Sequence, residues 1–300
     1  MTSVLVVGEP LHEILQQDPD TASRGFGGDA LNVAVYLARE SPSLRVYLGS
    51  GVGDDPATAS MMETCRTEGL DLTFLRRVPG TRTGHYTVVV DASGERSFRY
   101  RRRDSPFRGL FDTDEHPLPD PAGVDLLWFS GVGMAVLHEA GRQRLFDYAR
   151  AVRTAAGKVV YDPNHRPSLW GSRAEARAWT TRIARSAADI VLASSDDGRQ
   201  LLNAIAPPEV ADAFRSLGVK EVVVTDGSGP CVVMHDAGVA EVPAVEVADV
   251  VDTTAAGDAF DAAYIAARLR GEGPERSAEA GHRLAAIVVG HRGALTPRRD

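Results

Sequence analysis

The sequence predicts an α/β fold, a doubly wound and mostly parallel sheet with a small antiparallel β lid. Two observations carry this. Short β-branched runs alternate with helical stretches along most of the chain, the pattern of parallel strands joined by helices on both faces of a sheet. Residues 72–103 break the alternation with two strand-like runs and no helix between them, so those two pair antiparallel. The chain has 300 residues, 43% hydrophobic and 25% charged, enough for a substantial core, and shows no repeat, low-complexity tract or long linker. A single domain over residues 1–300 follows, with lid insertions near 10–25 and 72–103.

Taken in order, Val4–Val7 is the first strand and Asp29–Arg39 a helix with an apolar stripe. Val46–Gly49 is the second strand, and Pro56–Glu68 is helical. In the lid region Gly84–Asp91 and Ser97–Arg101 form a hairpin across the turn Ala92-Ser-Gly-Glu95, with part of Pro10–Gly25 beside them. Strands follow at Asp125–Phe129, Lys158–Tyr161, Asp189–Leu192 and Glu221–Thr225. Helices near His138–Ala155, Arg173–Ser186 and Pro208–Leu217 separate them, and Ala256–Arg268 and Pro274–His291 close the chain.

Composition excludes several classes. A formal net charge of −8 argues against a nucleic-acid partner, which calls for a basic surface. No run of about 20 apolar residues exists to span a membrane. The start, Met1-Thr-Ser-Val-Leu-Val-Val-Gly8, enters a strand without a basic leader, so no signal peptide is expected. Cys65 and Cys231 are too few for a disulfide scaffold, and a reducing cytoplasm fits. The eight histidines and two cysteines lack zinc-like spacing. There is no G-x-x-x-x-G-K-[ST], and Gly8-Glu9-Pro10 stands after the first strand where a dinucleotide enzyme needs G-x-G-x-x-G.

The segment with the most chemistry is Asp252-Thr-Thr-Ala-Ala-Gly-Asp258-Ala-Phe260. Small residues precede a helix beginning near Ala256, so backbone N–H groups converge there and the helix dipole favours an anion. Asp258, in the first turn, is placed to accept the proton of an attacking alcohol. It also suits that position as an ordinary acidic first-turn residue. Upstream, Gly25-Phe-Gly-Gly-Asp-Ala-Leu-Asn32 is on its own a turn before a helix. In Arg99-Tyr-Arg-Arg-Arg103, Tyr100 and Arg102 share one strand face and Arg99, Arg101 and Arg103 the other, compatible with a solvated edge or a pocket wall.

Asp252–Phe260 and Gly25–Asn32 together resemble the two signatures of the ribokinase-like (PfkB) carbohydrate kinases. Arg24–Asn32, Gly94–Phe98, Asp162–Trp170 and Arg292–Arg298 narrow the resemblance to its 2-keto-3-deoxygluconate kinases, over nearly the whole chain. The resemblance implies a ribokinase-like fold and phosphorylation of a sugar acid by ATP with Mg²⁺. It implies Asp258 as base, with Ala255, Ala256 and Gly257 as the anion hole. Gly27, Gly28, Asp29 and Asn32 would bind sugar hydroxyls, and Tyr86, Tyr100, Arg102 and Arg166 would line the sugar pocket. Arginine suits a carboxylate through its two-pronged fork. Ser194, Thr225, Gly227 and Gly257 fall on the nucleotide side. Asp252 and Thr254 stand where relatives bind a monovalent cation such as K⁺, and relatives pair into homo-oligomers through their lids.

Two departures stand out. Ser194-Ser-Asp-Asp197 replaces an Asn-x-x-Glu motif linked to Mg²⁺, so Asp197 is expected to reach the metal through water. Asp226, in Thr225-Asp-Gly-Ser-Gly-Pro230, puts negative charge where ATP phosphates are expected. Other acceptors remain open at this point: 2-keto-3-deoxygalactonate, fructose, ribose, or a sugar-binding relative that has lost catalysis.

Overall fold

A computed structural model describes residues 1–16, 22–90, 96–113 and 118–298. Among them nine strands form one sheet and four form a second. The chain opens with β1 (Ser3–Val7), β2 (Leu11–Gln16), β3 (Ala22–Gly27), α1 (Asp29–Glu40), β4 (Arg45–Val52) and α2 (Pro56–Thr67). β5 (Leu75–Arg77), β6 (His85–Val90), β7 (Arg96–Arg101), β8 (Leu126–Ser130), α3 (Gly131–Val136) and α4 (Glu139–Thr154) follow. Next come β9 (Lys158–Asp162), α5 (Arg173–Ser186), β10 (Ile190–Ser194), the one-turn α6 (Ser195–Asp197) and α7 (Pro207–Ser216). β11 (Glu221–Thr225), β12 (Cys231–His235), β13 (Gly238–Val242), α8 (Ala256–Leu269) and α9 (Pro274–Val289) complete it.

The large sheet runs β13-β12-β11-β10-β9-β8-β1-β4-β5. From β11 to β5 every pairing is parallel, while β11–β12 and β12–β13 are antiparallel. β1 is buried along Val4–Val7 because helices cover both its faces. One apolar layer packs α1, α8 and α9 on one face, and a second packs α3, α4, α5 and α7 on the other. From β1 the chain proceeds to β4 on one side and later to β8 on the other. The β1/β8 junction is therefore the switch point where an open α/β sheet leaves a crevice at its carboxyl ends. Local chemistry marks the helix starts. At α2 the Asp55 carboxylate accepts from Thr58 N at 3.1 Å, with Pro56 in the first helical position.

The second sheet runs β3-β2-β6-β7. β2–β3 and β6–β7 are antiparallel, but the central β2–β6 seam is parallel, so this sheet is mixed. Leu75–Arg77 joins β4 in the large sheet, so the second insertion enters the small sheet at His85 and not at Leu72. The Ala92–Glu95 turn, and with it Gly94 and Glu95, lies outside the described residues. β12 and β13 have no counterpart in the sequence expectation: a five-residue hairpin arm with one turn carries too little periodicity to stand out. No helix among the described residues is long and apolar enough to cross a membrane.

Candidate active site

A cleft of about 590 Å³ opens at the carboxyl ends of β9, β10 and β11, between the large sheet and the four-stranded one. α1 supplies the first wall. Its cap, Gly28, stands at φ 103°, and a Cβ there would lie 2.4 Å from the Glu9 carbonyl oxygen, so only glycine fits. That turn delivers Asp29 into the cleft. Its carboxylate accepts from Ser130 Oγ at 2.5 Å and from Asn164 Nδ2 at 3.3 Å, which joins α1 to the ends of β8 and β9. One turn on, Asn32 Nδ2 donates to Asp258 Oδ2 at 2.7 Å, spanning 226 residues of sequence.

The opposite wall is the start of α8. Ala255 caps it at φ 62°, a left-handed conformation that costs a non-glycine residue about 1 kcal/mol or more. Such strain persists where the surrounding structure demands it. Here it turns the backbone so that Thr253–Asp258 line the cleft; the Ala256 N–H donates to the Thr253 carbonyl at 3.3 Å, and the later N–H groups of the first turn have no partner within the helix. Nothing lies within 4 Å of where a Cβ on Gly257 would stand, so the approach to those donors is open. Behind the turn, the Asp252 carboxylate accepts from Thr254 N at 3.0 Å, Thr254 Oγ1 at 2.7 Å and Gly293 N at 2.8 Å. The carboxyl-terminal segment thus locks the anion hole from outside.

Asp258 is half-buried between these walls. Burial, then the Asp29 charge, push its pKa up to about 6, with the Asn32 hydrogen bond and the Arg166 charge opposing. Beneath it lie two further acids. Asp261 accepts from Trp128 Nε1 at 3.0 Å, and Asp162 ends β9. Burial, then the charges of its acidic neighbours Asp261, Asp197, Asp258 and Asp29, raise Asp162 well above the usual carboxylate range. Burial raises Asp261 likewise, against the Trp128 hydrogen bond. Sequence reasoning passed over both as site residues. The available signals were the three-residue spacing of Asp258 and Asp261 on one helix face and the position of Asp162 at a strand's carboxyl end.

Tyr86, Tyr100, Arg102 and Arg166 all line the cleft. Tyr86 donates to the buried Glu13 carboxylate. The two arginines differ. Arg102 Nη2 lies 2.8 Å from Glu9 Oε2, whereas Arg166 is exposed, donates to its neighbour's carbonyl at 3.2 Å and makes no ion pair among the described residues. Gly27 does not line the cleft and lies behind Tyr86.

On the nucleotide side Ser194, Thr225 and Gly257 line the cleft, while Gly227, at φ 58°, does not. Both Asp197 oxygens are taken. Oδ1 accepts from His165 N at 2.7 Å and Oδ2 from Ser194 N at 2.9 Å and Ser194 Oγ at 2.6 Å. Asp197 therefore pins the 162–166 turn to the end of β10. Asp226 accepts from Ser195 Oγ and does not line the cleft, so its charge is turned aside. Among the described residues no three acidic, histidine or cysteine side chains form a cage for a metal ion.

The sequence profile of the pfkB family carbohydrate kinases matches residues 1–300. The 2-dehydro-3-deoxygluconokinase of Dickeya dadantii (strain 3937) is 36% identical over 303 residues, covering 98% of this chain and 97% of the relative. The 2-dehydro-3-deoxygluconokinase of Escherichia coli (strain K12) is 34% identical over 302 residues, with the same coverage of 98% and 97%. Among solved structures, the PfkB protein from Polaromonas sp. JS666 superposes with a TM-score of 0.83 at 25% identity, covering 95% of each chain.

Proposed function

The chain belongs to the pfkB family of carbohydrate kinases, and from that premise we propose that it transfers the γ-phosphoryl group of ATP to the primary hydroxyl of 2-keto-3-deoxygluconate, also called 2-dehydro-3-deoxygluconate. The observation that carries the reading is the Asp258–Asn32 contact at the mouth of α8. It sets a base with a pKa of about 6 beside the helix-start N–H groups, facing a cleft whose Arg166 makes no ion pair among the described residues.

The steps follow from that arrangement. The four-stranded sheet acts as a lid over the sugar and excludes water, which otherwise competes as acceptor. Asn32 and Asp29 hold sugar hydroxyls, and Arg166 receives the carboxylate through its fork. Asp258 takes the proton of the attacking hydroxyl, and the N–H groups of the first turn of α8 from Gly257 on stabilise charge on the transferring phosphoryl group. ATP fits the open approach at Gly257, with Ser194 and Thr225 beside its phosphates. Mg²⁺ when bound neutralises phosphate charge. The crowded acids Asp162 and Asp261 fit a cation held mostly through phosphates and water, in keeping with Mg²⁺ retaining its hydration. Asp197 contributes by holding the Arg166 turn.

The test is a panel. Purified protein with ATP and Mg²⁺ is expected to phosphorylate 2-keto-3-deoxygluconate with a higher kcat/KM than fructose or ribose, measured side by side with 2-keto-3-deoxygalactonate. A neutral sugar as the better substrate would end the sugar-acid reading and leave a carbohydrate kinase of other specificity. Two finer features belong to the proposal. A monovalent cation bound near the Asp252–Thr254 turn would make activity respond to K⁺ and not to a tetraalkylammonium salt. Pairing of two copies through the four-stranded sheets would appear as a dimer in sedimentation velocity, and a monomer at all concentrations would exclude it.

A further inference from the structure

Gly8-Glu9-Pro10, at the end of β1, carries a carboxylate that the phosphoryl chemistry does not use. Glu9 is 1% exposed, and its Oε2 lies 2.8 Å from Nη2 of Arg102, whose side chain is 11% exposed. The contact is a charge pair without aligned hydrogen bonds: neither Glu9 oxygen nor Arg102 Nε has a hydrogen-bond partner. Gly84 closes over it, since a Cβ there would lie 2.8 Å from Glu9 Oε1 and 3.5 Å from Arg102 Cβ. Asp29, from α1, is the other charge facing Glu9. The pair therefore links the end of β1, in the large sheet, to the residue just past β7, with the guanidinium in the cleft wall.

Resting on the sugar-acid reading above, we propose that Glu9 is a positioning residue for specificity, which through Arg102 sets how much positive charge the cleft offers an anionic sugar. The charges of Asp29 and Asp258, which line the cleft, disfavour an acid. A bare Arg102 would offset them strongly; one paired with Glu9 offsets them in part. Arg102 lines the cleft, so the charge it keeps beside Glu9 acts on a bound anion through space, without dismantling the buried pair. A neutral sugar gains nothing from this arrangement. The consequence is moderate affinity with charge selectivity, which avoids over-stabilising the bound ground state.

Calorimetric binding of 2-keto-3-deoxygluconate and of fructose to the wild type, Glu9→Gln, Arg102→Ala and the double variant tests this. Glu9→Gln is expected to bind the keto-acid about tenfold tighter while fructose affinity changes less than about twofold, because only the anion sees the released charge. Arg102→Ala is expected to weaken the keto-acid by about tenfold or more, with Glu9 left unpaired. In the Arg102→Ala background Glu9→Gln should no longer strengthen acid binding. A ratio of acid to neutral affinity that Glu9→Gln leaves unchanged overturns the inference, as does an effect that persists without Arg102. A wild type that binds the keto-acid no better than fructose overturns the substrate reading and the inference with it. If Glu9→Gln fails to fold, Glu9→Asp carries the test: its charge stands farther from Arg102, so the ratio should move the same way by a smaller factor, and no movement is a failure.

Discussion

Asp258→Asn is expected to leave the fold intact and to lower turnover by at least about 100-fold. Asn keeps the size and the helix-start preference of Asp, and can still meet Asn32 by turning its amide oxygen toward the donor. What it loses is the ability to take a proton. The contact with Asn32 spans two walls of the cleft, so a melting curve within a few degrees of the wild type establishes that the loss is chemical. The same group sets the pH dependence. With a pKa of about 6, Asp258 is ionised and competent above that pH, and kcat/KM should fall as pH drops through about 6. Its neighbours give the sign of further shifts. Asp29→Asn removes a charge that raises the pKa, so the acid limb should move to lower pH. Asn32→Ala removes a hydrogen bond that lowers it, so the limb should move to higher pH. Near-normal kcat in folded Asp258→Asn, or limbs that ignore both neighbours, would remove Asp258 from the role of base.

Arg166→Ala is expected to cut kcat/KM for the keto-acid by roughly tenfold to a few hundredfold while changing fructose phosphorylation little. Sequence reasoning set Arg102 and Arg166 side by side in the sugar pocket. The structure tells them apart. Arg102 is already paired with Glu9, whereas Arg166 is exposed in the cleft wall without an ion pair among the described residues. Arg166 also holds the Asp258 pKa down, so its removal raises the acid limb. Measuring at about pH 8, well above that limb, separates lost recognition from a protonated base. Arg166→Lys should restore only part of the loss, because an ammonium supplies charge without the planar fork. Equal losses on the keto-acid and on fructose would show that Arg166 serves the phosphates or the loop and not the carboxylate.

Much of this protein was legible locally. The alternation of β-branched and helical runs identified the parallel sheet because both periodicities are properties of the backbone itself. The small-residue string before Asp258 marked a helix start because that geometry needs only a few consecutive residues. The structure places Asp258 in the first turn of α8, where the string predicts it.

What stayed hidden was decided by residues far apart in the chain. The small sheet is mixed because β2 and β6 meet in parallel across more than 60 residues, and no local signal carries that register. Leu75–Arg77 belongs to the large sheet because Ser50–Val52 offers it an open edge. Asp226 looked like a charge set against ATP until Ser195 was seen to hold it aside. Asp197 carries a structural contact that no local pattern announces, since its carboxylate accepts from the backbone of His165, 32 residues earlier. The sequence by itself determined the fold class and the helix start that carries Asp258, both of which rest on short contiguous stretches. The tertiary structure alone decided which charges are free to act, because Glu9 and Arg102 pair across the β1 end and the lid while Arg166 makes no ion pair among the described residues, and pairing depends on proximity in space.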